Sequence, residues 1–100
     1  MHGIEIQYEL KGDEAEWNAA VATFVQAIDA DADIAGRFTY RVTKAKEGNK
    51  RIHWGQWDVP ETVQTLQSRD YFKTFAAKLQ ELADGTLSPT PVSILHRTKA

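Results

Sequence analysis

The sequence contains no cysteine, few prolines and no long apolar run. The absence of cysteine excludes disulfides, thiolate nucleophiles and zinc–thiolate sites. No apolar stretch approaches the roughly 20 residues that are needed to cross a bilayer. The N-terminal residues lack the charged and apolar regions of a signal peptide. Together these absences predict a cytoplasmic protein without a membrane partner.

The charge is nearly balanced, and the length fits one domain. Twelve Lys and Arg residues stand against 14 Asp and Glu residues, which gives a net charge of −2. A nucleic-acid-binding protein needs a concentrated basic face, so nucleic acid is not an expected partner. One hundred residues with 42% hydrophobic and 26% charged side chains predict a single folded domain over 1–100.

Local patterns predict a strand, a helix and a hairpin in the first half of the sequence. Residues 4–10 alternate between apolar and polar, as in a half-buried strand. Apolar residues then recur at spacings of three and four, which predicts a helix over about 14–30 with Asp13 as its cap. Residues 37–43 and 51–58 flank a turn and predict an antiparallel hairpin.

The second half predicts two helices and a last strand. Asp58 is expected to cap a short helix near 60–67, which contains a proline in its first turn. A longer helix near 70–83 follows, and Asp84-Gly85 is a typical end for it. After a segment with two prolines, a final strand is expected at 92–96.

The order of these elements is the ferredoxin-like βαββαβ plan, an α+β fold with a four-stranded antiparallel sheet and helices on one face. The third strand carries Trp54 and Gln56 on one face and His53 and Trp57 on the other, so neither face is plainly polar. The face without helices should therefore be covered, and a second copy of the chain is the simplest cover. Which face lines a pocket stays open, because a one-residue change of register exchanges them.

Three short runs carry a family resemblance. They are Gly36-Arg37-Phe38-Thr39-Tyr40, Trp57-Asp58 with Glu61, and Ser68-Arg69-Asp70-Tyr71-Phe72 with Phe75. The pattern resembles the dimeric α/β-barrel superfamily, and within it the antibiotic-biosynthesis monooxygenase-like branch. The resemblance implies a homodimer whose two sheets face each other to form a barrel, with a pocket in each subunit between sheet and helices.

The same resemblance implies the chemistry. Members of this kind include cofactor-free monooxygenases that act on small aromatic or quinol compounds, so a small aromatic ligand and no cofactor are expected. The haem-degrading members place a histidine on the second helix. Residues 60–83 contain no histidine, which argues against haem as a ligand.

Two histidines are the candidate catalytic bases. His53 shares a strand face with Trp57, and His96 follows on the last strand. A neutral imidazole can take a proton from a phenol near neutral pH, and an aromatic floor suits a flat substrate. The candidate substrate-binding residues are Tyr40, Trp54, Trp57 and Phe75. The histidine spacing suggests no metal site. Alternatively, these side chains fill the core and interface of a non-catalytic dimeric module that binds a small ligand or has a structural role.

Two groups of charged residues are predicted to be exposed. The aspartates at 29, 31 and 33 are interpreted as a solvated turn, because the segment lacks the glycine and distal glutamate of a calcium loop. A basic patch is expected on the central hairpin, where it could attract an anion or keep the hairpin soluble. Its members are Arg37, Arg41, Lys44, Lys46, Lys50 and Arg51.

Overall fold

A computed structural model of the protein describes residues 1–99. Its elements, in chain order, are β1 (His2–Glu9), α1 (Glu14–Ala30), β2 (Phe38–Lys44), β3 (Lys50–Trp57), α2 (Pro60–Ser68), α3 (Asp70–Ala83) and β4 (Ser88–Ser93). The four strands form one antiparallel sheet in the order β2-β3-β1-β4. The predicted α+β ferredoxin-like fold is confirmed.

Helices α1 and α3 bury apolar stripes against the sheet. The backbone N–H of Glu16 donates to Asp13 Oδ2 across 2.9 Å, so Asp13 caps α1 as predicted. Phe24 of α1 and Phe75 of α3 stack with centroids 4.0 Å apart. The buried hydrophobic residues form one core cluster between helices and sheet. None of the helices within residues 1–99 combines the length and apolar character needed to cross a membrane.

The last strand corrects the prediction of a strand at 92–96. It runs over Ser88–Ser93 and therefore includes Pro89 and Pro91. β4 is an edge strand that pairs with β1 alone. A proline is tolerated at such an edge because no second neighbour needs its missing N–H. The sequence does not reveal which strand lies at an edge, and the prolines were therefore interpreted as a connection.

Asp58 holds the start of α2 in a different way from the predicted cap. Val59 is the residue that precedes the helix, and it makes no side-chain capping bond. Asp58 Oδ1 instead accepts from the Val59 backbone N–H at 2.8 Å and from the Thr62 hydroxyl at 2.5 Å. The carboxylate thus reaches into the first turn from one residue further back.

The acidic turn after α1 is solvated at Asp29 and Asp33, as predicted, whereas Asp31 is only 13% exposed and is tied to the start of α3. Asp31 Oδ2 accepts from Arg69 Nε at 2.9 Å and from the Tyr71 hydroxyl at 2.8 Å. Asp33 Oδ2 accepts from Arg69 Nη2 at 2.7 Å. Two of the three predicted aspartates therefore form ion pairs that connect distant segments.

The register of β3 decides which of its faces meets the helices. Arg51, His53 and Gly55 are buried on the helix side, where Trp57 joins them at the strand end. Trp54 lies on the other side and is 40% exposed. We call that other side the open face of the sheet; Thr39, Arg41, Trp54, Gln56 and Val92 lie together on it.

Candidate functional site

A cavity of about 560 Å³ lies between the sheet and the helices. Its size is within the range of small-molecule sites, which is roughly 300–1,000 Å³. Aliphatic and aromatic side chains make up most of its lining, and the aromatic ones are Phe24, Phe38, Tyr40, Trp57, Phe72 and Phe75. The few longer polar side chains that reach it are His2, Gln67 and Gln80. This cavity is the candidate site.

Stacked rings form the sheet side of the cavity. Phe38 lies 5.7 Å from Trp57 and 5.9 Å from Tyr40 between ring centroids, nearly parallel to both. Gly55 makes room for them, because a Cβ atom there would stand 3.1 Å from Phe38 Cζ and 3.5 Å from Tyr40 Cδ1. A larger residue at this position would require the Phe38 ring to shift by a few tenths of an ångström. The glycine therefore shapes the surface on which a flat molecule would rest.

Four hydrogen-bonded side chains run from the core to the cavity; we call them the buried network. Trp17 Nε1 lies 2.6 Å from the Tyr8 hydroxyl, which lies 2.7 Å from His53 Nε2. His53 Nδ1 lies 2.6 Å from the Tyr40 hydroxyl. Trp17, Tyr8 and His53 are buried, whereas Tyr40 also lines the cavity. Tyr40 is thus the member of the buried network that lines the cavity.

Trp17 gives the buried network a direction. An indole N–H can only donate, so the Tyr8 oxygen accepts a hydrogen bond from it. The Tyr8 hydroxyl then donates its own proton to His53 Nε2. A neutral imidazole that accepts at Nε2 carries its proton on Nδ1 and donates it to Tyr40. The reverse direction would leave the buried Tyr8 O–H without an acceptor, at a cost of about 1–3 kcal/mol.

Burial keeps the network neutral. It lowers the pKa of His53 from 6.5 to about 4. Burial also raises the pKa of Tyr8 to about 12, although the Trp17 hydrogen bond and the charge of Arg51 act in the opposite sense. The pKa of Tyr40 is raised mainly by burial as well. At neutral pH His53 is therefore uncharged, and both of its nitrogens are occupied.

Arg51 packs beside the inner end of the network, which corrects its assignment to an exposed basic patch. The side chain is 0% exposed, and its guanidinium lies 4.5 Å from the Trp17 ring centroid. Nη2 donates to both carboxylate oxygens of Glu14, at 2.5 and 2.8 Å. Arg51 pairs with Tyr8 of β1 in register, so its side chain is directed under α1 rather than towards the hairpin tip.

The structure brings only part of the predicted site together. The predicted residues that line the cavity are Tyr40, Trp57 and Phe75. His53 lies one hydrogen bond behind Tyr40 and does not line the cavity. Trp54 and His96 lie at a smaller depression on the open face, because side chains alternate along β3 and the chain leaves β4 on that side. The depression that they line does not include His53.

Sequence reasoning did not identify Tyr8 and Trp17 as members of the site. Both fall on apolar faces, where they are expected to fill the core. The available signal was their polar tips, since a buried hydroxyl or indole N–H needs a partner. No spacing rule connects residue 8 with residue 53. Among residues 1–99, no group of three or more histidines and carboxylates is arranged to hold a metal ion.

No family model matches the sequence, and no curated protein matches it either. Solved structures do match. SnoaB, a cofactor-independent oxygenase from Streptomyces nogalater, has a TM-score of 0.77 at 12% identity, over 99% of this chain and 97% of its own. A candidate antibiotic biosynthesis monooxygenase from Caulobacter crescentus CB15 has a TM-score of 0.80 at 14% identity, and the match covers 95% of this chain and 90% of the other. A second such candidate, from Nitrosomonas europaea, has a TM-score of 0.77 at 7% identity, and the match covers 96% of this chain and 100% of the other.

These similarities extend over nearly the whole length of both partners, but sequence identity is low. They establish architecture, while chemistry depends on the individual site. The resemblance noted in the sequence is confirmed at the level of the fold: this protein has the fold of solved antibiotic biosynthesis monooxygenase-like structures.

Proposed function

We propose that this protein is a cofactor-independent, monooxygenase-like oxidoreductase that binds a small aromatic or quinol compound in the cavity between sheet and helices. The observation that carries the proposal is the cavity of about 560 Å³ with its aromatic side chains. Tyr40 is one of them, and its hydroxyl is hydrogen-bonded to the buried His53. The structural similarity to a cofactor-independent oxygenase supports the reaction class.

In this proposal the substrate supplies the electrons. Dioxygen reacts with the deprotonated substrate, one oxygen atom enters the product and the other leaves as water. The protein contributes exclusion of water and orientation of the ring. Phe38 and Trp57 would support one face of the substrate, and Phe75 lies on the helix side.

The proton chemistry assigned to the site follows from the neutrality of His53. With a pKa near 4, His53 is a weak base at neutral pH. We therefore propose that His53 acts as a positioning residue through Tyr40, and that the substrate itself is acidic enough to lose its proton to solvent. Tyr40 is the member of the buried network that would touch the substrate.

We also propose a homodimer formed through the open face. Trp54 and Val92 are 40% and 37% exposed there, beside Arg41. An exposed large aromatic side chain on a sheet face that no helix covers is typical of a contact surface. A two-fold pairing requires only that this one surface be complementary to itself. A cytoplasmic location stays a prediction from the sequence.

Oxygen consumption tests the proposal. We would measure the rate at which hydroquinones and naphthols take up oxygen, above their spontaneous oxidation, with the wild-type protein and two variants. Ala76→Leu narrows the cavity from α3, whereas Ala77→Leu makes the same change on the outer side of that helix. We expect acceleration by the wild type and Ala77→Leu, and loss of most of it in Ala76→Leu.

A non-catalytic ligand-binding dimer is the second candidate. The observation in its favour is that both nitrogens of His53 are occupied, by Tyr8 and Tyr40. This candidate predicts that aromatic compounds bind to the wild type and Ala77→Leu but not to Ala76→Leu, while no compound shows protein-dependent oxygen uptake.

A further inference from the structure

The buried network reaches the cavity with an unused donor. Trp17 donates to Tyr8, Tyr8 donates to His53, and His53 donates to the Tyr40 oxygen at 2.6 Å. The Tyr40 hydroxyl makes no second hydrogen bond within residues 1–99. Its own proton therefore has no acceptor within the described residues, and Tyr40 is a lining residue of the cavity.

The surroundings hold this donor in place. The Tyr40 ring meets Phe24 edge to face at 5.2 Å and Phe75 at 6.3 Å, and it stacks on Phe38 at 5.9 Å. The residues that line the cavity include no Asp, Glu, Lys or Arg. The other polar side chains in the lining, those of His2, Gln67, Gln80 and Ser93, make no hydrogen bond within residues 1–99 that would hold them, whereas Tyr40 is held by His53. A ligand thus meets one neutral donor in a fixed position in a mainly apolar wall. A ligand acceptor, such as a carbonyl or hydroxyl oxygen, satisfies that donor, whereas a ligand whose only polar group is an N–H opposes it.

We infer that Tyr40 donates a hydrogen bond to the ligand, and that the cavity selects planar aromatic compounds with a carbonyl or similar acceptor oxygen over compounds of the same shape that can only donate. This inference rests on the proposed aromatic-binding function and names the substrate class of that site. Trp17, Tyr8 and His53 are positioning residues in it, because each acts through the next and none lines the cavity.

Three flat compounds of nearly the same shape test the inference. Fluorenone carries an acceptor, carbazole carries a donor, and fluorene carries neither. Equilibrium dialysis gives the three dissociation constants for the wild-type protein. We expect fluorenone to bind roughly fivefold more tightly than fluorene, as one net hydrogen bond predicts. We expect carbazole to bind no better than fluorene.

Two tyrosine variants localise the effect. Tyr40→Phe removes the donor and should abolish the preference for fluorenone. Tyr71→Phe removes a hydroxyl that donates to Asp31 outside the cavity, so its preference should remain that of the wild type. The carbonyl stretching band of bound fluorenone gives a readout independent of affinity: its frequency should be lower in the wild type than in Tyr40→Phe.

Trp17→Phe tests the direction of the network. Without the indole N–H, the hydrogen bonds from Tyr8 to Tyr40 can run either way. The advantage of fluorenone should shrink, and carbazole should gain relative to fluorene, although residue 17 lies outside the cavity. The wild-type comparison needs no variant, so the inference stays testable if this substitution impairs folding.

The outcomes separate the inference from the proposed function. A wild-type preference for carbazole, or a fluorenone preference that survives in Tyr40→Phe, would overturn the inference. Equal binding of all three compounds, weakened by Ala76→Leu, would overturn it while the aromatic site stands. Binding of none of the three would overturn both.

Discussion

Arg69 Nε donates to Asp31 Oδ2 across 2.9 Å and so connects the end of α1 to the junction between α2 and α3. The Asp31 side chain is only 13% exposed, and Tyr71 donates a second hydrogen bond to it. The backbone of Arg69 is extended between the two helices. This contact therefore fixes where α3 begins, and α3 carries one wall of the cavity.

Asp31→Asn should make stability less sensitive to acid. The hydrogen bonds from Arg69 and then Tyr71 lower the pKa of Asp31 below 3.8. A carboxylate with a lowered pKa contributes stability above its unfolded pKa and loses it as the pH falls through the folded pKa. Urea unfolding at about pH 7 and about pH 3 measures this. We expect the urea midpoint of the wild type to fall more on acidification than that of the variant.

Asp29→Asn is the matched control for that experiment. Asp29 belongs to the same helix end but takes part in none of the ion pairs found within residues 1–99. Its variant should keep the acid response of the wild type. Identical acid responses in the wild type and Asp31→Asn would contradict the assignment.

His53→Gln should remove a pH dependence of stability in a higher window. Burial lowers the pKa of His53 from 6.5 to about 4, so the unfolded chain binds a proton in this window that the native protein does not bind. Stability therefore falls as the pH decreases from about 6.5 to about 4. A shift of this size corresponds to about 3 kcal/mol. Urea unfolding across the window should show this slope in the wild type and lack it in His53→Gln.

His96→Gln is the matched control, because it also replaces a histidine by glutamine but at a position outside the buried network. His96 is exposed beyond the last strand, so its variant should keep the wild-type slope between about pH 6.5 and about pH 4. A slope that persists in His53→Gln and disappears in His96→Gln would place the titrating group elsewhere.

Trp54→Asp should convert the proposed homodimer into a monomer. Trp54 is 40% exposed at the centre of the open face and lies opposite Arg41 of β2. Aspartate removes the aromatic contact surface, and its pair with Arg41 would lose its solvation inside a two-sheet interface. Light scattering coupled to size-exclusion chromatography measures the mass directly. Ala77→Asp puts the same charge on the outer side of α3 and should leave the mass unchanged. A wild-type monomer at all concentrations would contradict the dimer.

Much of the fold could be predicted because it is recorded in local periodicity. The alternation in β1 and the spacing in α1 each need only neighbouring residues to be recognised, and the structure gives α1 over Glu14–Ala30 as expected. The start of β4 could not be predicted in this way. Pro89 and Pro91 are compatible with a strand only because β4 lies at the sheet edge, and that position is decided by pairing with a distant segment.

The candidate site likewise combines residues that the local sequence indicates with contacts that depend on the pairing of distant segments. Tyr40, Trp57 and Phe75 are recognisable as large aromatic residues at strand and helix positions that face inwards. The hydrogen bond between Tyr8 and His53 joins residues 45 positions apart and depends on the pairing of β1 with β3. The face on which Trp54 lies depends on the same pairing. Residue type thus pointed to three of the aromatic residues that line the cavity, whereas the face of Trp54 and the polar contacts required the register.

Replacing Arg51 by Met should leave stability nearly unchanged, although the residue is charged and paired. The side chain is 0% exposed, and its Nε and Nη1 atoms have no hydrogen-bond partner. Its partner Glu14 is 57% exposed and stays solvated alone. Because the desolvation of the guanidinium offsets the ion pair and the contact with Trp17, we expect Arg51→Met to change the free energy of unfolding by less than about 1 kcal/mol. Arg51→Ala, which also leaves a cavity, should cost about 2–3 kcal/mol. Urea unfolding measures both, and a loss above about 3 kcal/mol in Arg51→Met would show that the buried charge is strongly stabilising.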